Sequence, residues 1–180
     1  MENLIKVLEY EGIGYQPILA CRDWRVAILN YHEELLPENI NNFQKHSLTD
    51  EAFVLLKGHC ILFVAEDESL QKIHAIDMEP YKTYDVKKGT YHTHTLTEDA
   101  MVLIVEADDT CDDNSPIVRP SADVTRKLIE MTKEIEGNRS SFLWHRFGTA
   151  LHIFTVAKFQ KGLPVFSKRP IKSSFLLITQ

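Results

Sequence analysis

One hundred and eighty residues, 44% of them hydrophobic, suffice for one domain whose core needs neither disulfides nor a metal staple. Three cysteines (Cys21, Cys60 and Cys111) show no paired spacing, which argues against a disulfide framework and a CxxC zinc site. No basic leader precedes an apolar stretch and no run nears about 18 apolar residues, so neither a signal peptide nor a membrane span is expected, and the expected location is cytoplasmic.

In chain order, "DWRVAILNYHEE" (Asp23 to Glu34) holds a short β-branched and aromatic run that "LLPEN" breaks, and it predicts a strand. "EAFVLLKGHCILFVAE" predicts two strands joined as a hairpin at Lys57-Gly58. "KIHAIDM" is a weaker strand, and "KTYDVKKG" alternates up to a turn at Lys88-Gly89. "DAMVLIVEAD" (Asp99 to Asp108) is a buried strand bounded by acids. Short strands spaced by turns predict an all-β antiparallel sandwich or barrel rather than an alternating βα fold. Ser121 as N-cap, Val124, Leu128, Met131 and Ile135 at helical spacing and Gly137 as the stop predict one helix, packed on the sheet or on a second subunit.

Beyond the helix the composition changes. All 26 acidic residues lie before Gly137, whereas residues 137–180 carry 7 Lys and Arg, six Phe and no acid. Basic and aromatic residues together suit nucleic acid or an anionic membrane surface. Here the basic residues are scattered without a clean amphipathic period, and no nucleic-acid partner is expected. The segment reads either as an appended arm or as the product of a shifted reading frame. The expected division is a barrel with its lead-in over 1–118, a packing helix over 119–136 and an extension over 137–180 outside the fold.

Chemistry is concentrated in "QKHSLTDE" and "GTYHTH". His46, Glu51 and His92 offer two imidazoles and a carboxylate, a set that suits zinc, manganese, nickel or ferrous iron. Gln44 shares a strand face with His46, and His94 shares one with His92. His94 is a fourth ligand, a general acid/base or a barrel-lining residue, since imidazole titrates near pH 6.5. "EADDTCDDN" concentrates acids but lacks the spacing of a calcium loop, so it reads as a solvated turn.

This spacing resembles the cupin family. The first cupin motif runs Gly-x5-His-x-His, three or four residues, Glu, six residues and Gly; His46, Glu51 and Gly58 match its second half. The second runs Gly-x5-Pro-x-Gly-x2-His-x3-Asn, and Gly89-Thr90-Tyr91-His92 matches its centre. Gln44 stands at the first His position, Glu38 and Tyr81 replace the leading glycines, Lys87 replaces Pro, and Leu96 holds the Asn position. The resemblance covers about residues 18–118. It implies a double-stranded β-helix, or jelly-roll barrel, holding a divalent metal on His46, Glu51 and His92. Gln44 is then a further ligand, as in phosphomannose isomerases, which look similar in using a Gln-x-His pair. It also implies a homodimer and a small-molecule partner, a sugar or an organic acid, undergoing isomerisation, epimerisation or elimination. The other function open to this fold is a binding or sensor module without turnover.

Overall fold

Period-two alternation decides how the strands stack: β4 (Glu51–Lys57) turns Glu51, Phe53 and Leu55 to one side and leaves Ala52, Val54 and Leu56 partly exposed on the other. Ten strands built this way form two five-stranded antiparallel sheets in the computed structural model, which describes residues 4–156 and the side chains as far as residue 140. The first sheet contains β1 (Tyr15–Cys21), β2 (Trp24–Asn30), β4, β7 (Thr83–Val86) and β9 (Met101–Ala107), in the order β1-β2-β9-β4-β7. The second contains β3 (Phe43–Gln44), β5 (Cys60–Ala65), β6 (Ile73–Asp77), β8 (Tyr91–Leu96) and β10 (Ile117–Val118), in the order β10-β3-β8-β5-β6. Interleaving of distant strands in both layers gives a jelly-roll, double-stranded β-helix, as expected for an all-β barrel.

Two apolar clusters hold the layers. Leu29, Phe53, Leu55, Leu62, Leu96 and Val102 belong to the one gathered from the inner faces of both sheets. The other lies on the second sheet, where Phe43, Phe63 and Tyr91 meet Leu128, with Val124, Met131 and Ile135 packed alongside. The helical stripe read from the sequence is thus the stripe that covers this sheet. Ser121 caps the helix as predicted: its Oγ accepts from the Val124 N–H at 3.3 Å.

Three expectations change. Lys57-Gly58 is no hairpin, because β4 and β5 lie in different sheets. Gly58 takes φ 69°, and a Cβ there would come within 2.5 Å of the Ala100 Cα, so the chain crosses between layers in a step too tight for a side chain. Gly137 does not stop the helix: α1 spans Ala122–Val156. Gly137 lacks the positive φ of a C-terminal cap, and an interior glycine costs only about 1 kcal/mol relative to alanine. β1 and β10 were not predicted, and the strand read through Gln44 and His46 ends at Gln44. Compact units divide at Arg139, with Ser140 beginning the second. Residues 157–180 of the expected extension lie outside the described residues.

Candidate metal centre

On the inner face of each central strand the apolar residues give way to polar ones toward the same end. β4 ends in Glu51, β9 runs Val102, Ile104, Glu106, and β8 runs back from Leu96 through His94 to His92. Glu51, Ile104, Glu106, His94 and His92 line a cavity of about 590 Å³. The second motif is fastened to the first at its rim: the Gly89 N–H donates to the His46 carbonyl at 2.7 Å, and the Lys88 N–H to Asp50 Oδ1 at 2.8 Å. Gly89 has φ 82°, which only glycine adopts without strain, and its turn aims β8 back across the cavity.

His46, Glu51 and His92 meet there. The Nε2 atoms of both histidines lie 2.9 Å from Glu51 Oε2, and all three side chains are buried. The outer nitrogens fix the tautomers. His92 Nδ1 lies 3.1 Å from the Thr90 carbonyl, which can only accept, so Nδ1 carries the proton. Ser115 Oγ donates to Asn114 Oδ1 at 3.1 Å and therefore accepts from His46 Nδ1 at 2.8 Å. In the neutral rings each Nε2 is then a bare lone pair facing a carboxylate oxygen. Only protons on the rings or a cation makes that convergence favourable, and backbone or hydroxyl partners on Nδ1 are the usual orienting device of metal-binding histidines. The three ligand atoms lie within 4.8 Å of one another, so the group can hold a metal ion. Burial alone would raise the Glu51 carboxyl, but with both rings protonated the hydrogen bonds from His46 and His92 outweigh it and hold it at about 2. Burial lowers His46, and the Glu51 carboxylate raises it by more.

This is a cupin-type barrel. Two facing antiparallel sheets in jelly-roll order, with the His and Glu of one motif and the His of the other meeting between them, decide it. No family model matches the sequence, and no curated protein matches it. Solved structures with similarity to it include a cupin-2 domain containing protein from Shewanella frigidimarina, 19% identical over 54% of this chain and 84% of that one, with a TM-score of 0.39. An RmlC-like cupin family protein with a double-stranded β-helix fold from Methanocaldococcus jannaschii is 11% identical over 58% of this chain and 91% of that one, with a TM-score of 0.43. Pac13 of Streptomyces, described as a nucleoside dehydratase, is 14% identical over 62% of this chain and 85% of that one, with a TM-score of 0.43.

Gln44 and His94 also line the cupin cavity. Gln44 sits directly across from His92 in the β3–β8 register. His94 packs against the Phe53 ring at 6.1 Å between centroids, and its Nδ1 is buried without a hydrogen-bond partner among the described residues. Burial, helped by His92, drops its pKa to about 4, so it is neutral at pH 7. Tyr84 and Tyr91 do not line the cavity; Tyr91 is buried in the outer cluster, and the Tyr84 hydroxyl accepts from the Glu79 N–H at 2.8 Å. Lining residues that were not read from the sequence include Tyr15, Arg25, Glu106 and Thr110. Glu106 and Arg25 were accessible to it, because alternation from Ile104 and from Ala27 turns both inward. Tyr15 was not, since β1 lacks a clean pattern. Among the described residues no helix is long and apolar enough to cross a membrane.

Proposed function

We propose that the protein is a metal-dependent enzyme acting on a small hydroxy- or oxo-bearing molecule, a sugar or an organic acid, by isomerisation, epimerisation or elimination. The observation that carries this reading is the convergence of two bare imidazole Nε2 atoms on one buried carboxylate in the wall of a 590 Å³ cavity. His46, Glu51 and His92 would hold a divalent ion, zinc, manganese, nickel or iron, with Gln44 as a fourth ligand. Such an ion supplies Lewis-acid polarisation of a ligand oxygen. His94 supplies the proton acceptor: it is neutral at pH 7, and with Nδ1 enclosed, Nε2 is the nitrogen left to meet a ligand. Phe53, flanking both His92 and His94, keeps water from that side of the rings. The enzyme is proposed to work in the cytoplasm as a homodimer.

Metal content of the purified protein, followed by turnover of a panel of sugars and hydroxy acids, tests the reading. About one divalent ion per chain is expected, lost in His46→Ala and in His92→Ala. Full metal retention by both variants would sink the site. Binding of panel members without conversion of any would make the barrel a sensor module instead.

A further inference from the structure

The proposed reaction leaves sugar and organic acid equally open, and the wall opposite the histidines separates them. Arg25 on β2 pairs with Glu106 on β9, and β4 pairs Ala52 with Val105; one step further along that register sets Glu51 beside Glu106. A guanidinium free to point into a cavity would clamp a carboxylate or phosphate. Arg25 is not free. Its Nε donates to Glu106 Oε1 at 3.1 Å, Nη1 to the Asp108 carbonyl at 3.3 Å and Nη2 to the Thr110 carbonyl at 3.0 Å.

Glu106 is only 6% exposed, and its Oε1 also accepts from the Tyr15 hydroxyl. Its Oε2 takes no hydrogen bond from the described residues, which leaves one oxygen of a largely buried carboxylate as an acceptor on the cavity wall. Thr110, which lines the same cavity and is 8% exposed, has its Oγ1 buried with no partner among the described residues. A buried hydroxyl without a partner is rare and calls for a polar neighbour. Charge points the same way. Glu34, Glu51, Glu106 and Asp112 against Arg25 leave the lining at −3 with neutral histidines, and a divalent ion brings it only to −1.

We infer that the cavity selects a neutral, hydroxyl-rich ligand, a sugar or polyol bearing neither carboxylate nor phosphate, and that Glu106 makes the selection. Ligand hydroxyls donate to Glu106 Oε2 and satisfy Thr110, whereas an anionic group meets like charge with no free cationic side chain among the described residues of the wall to neutralise it. The inference rests on the proposal that small molecules occupy this cavity, and not on their turnover.

Calorimetric titration of the full chain, metal-loaded and metal-stripped, with matched probes tests it: glucose, glucuronate and glucose 6-phosphate, then ribose and ribose 5-phosphate. In each set the neutral member is expected to bind about tenfold tighter or more than its anionic counterpart, in both metal states. Glu106→Gln is expected to shrink that ratio to within about threefold with metal content unchanged. An anionic member binding as tightly as its neutral partner overturns the inference, as does failure of every neutral probe to bind at millimolar concentration. If Glu106→Gln fails to fold, the wild-type ratio still decides. Protein that takes up no metal at all yet keeps the neutral preference defeats the metal reading and leaves this one standing; metal-bound protein that prefers anions does the reverse.

Discussion

Proton positions on two imidazole rings carry most of the chemical meaning of the site. Ser115, contributed by the turn after β9, fixes the His46 tautomer although it touches neither cavity nor carboxylate. Ser115→Ala should therefore weaken metal affinity about tenfold, within the 10–100-fold range of such orienting partners, while the fold persists; competition against a chromogenic chelator measures it. His94 yields a pH prediction. Its folded pKa of about 4 lies below the unfolded value of 6.5. Between those values the unfolded chain binds a proton that the fold rejects, so the stability due to neutral His94 is full above pH 6.5 and is lost as pH falls toward 4. Metal-stripped wild type should lose about 3 kcal/mol more than His94→Leu across that window, read from urea midpoints. His46, Glu51 and His92 were legible together because their spacing resembles the two cupin motifs; taken singly, each would pass for an ordinary strand residue. Ser115 was not, since it meets His46 only through a fold that joins positions 69 residues apart.

At the level of strands and turns, backbone sign matters more than side-chain class. Gly58 and Tyr81 show opposite sides of this. Gly58→Ala adds a Cβ 2.5 Å from the backbone of Ala100 at a positive φ, and should destabilise by about 1–3 kcal/mol or more. Tyr81 stands where the second cupin motif has its glycine, and it takes φ 67° with its ring exposed. The left-handed conformation costs an L-residue about 1–2 kcal/mol, so Tyr81→Gly should stabilise, by up to about 1 kcal/mol after the added freedom of the unfolded glycine. Thermal midpoints of the two variants, moving in opposite directions, check the pair. Most strand positions were legible because alternation is local. The crossing at Gly58 was not, for a glycine between two apolar runs looks the same whether the runs pair or part; the deciding contact, with Ala100, is 42 positions away in the chain.

For the whole molecule, the question is what meets the free edge. β1 ends the first sheet, and Leu19 on it and Trp24 at its turn are 41% and 43% exposed. The described part of the α1 stripe, Val124 to Ile135, is covered within the chain, whereas the β1 edge offers a surface for self-association. Pro17 and the register shift beside it interrupt the outer edge and limit open-ended pairing. A homodimer through this edge should scatter light as twice 20.8 kDa, and Leu19→Glu should return it to 20.8 kDa. A wild-type monomer at micromolar concentration would refute the dimer.

Glu51 rises from the first sheet, His92 comes from the second and His46 from the segment that follows β3, so the contacts that gather charge also fasten one layer to the other at the open end of the barrel. Parting of the layers there would break the same contacts that could hold an ion, so filling the site should also brace the sandwich. Amide hydrogens on β4 and β8 should then exchange in step, slowing together when the site is filled.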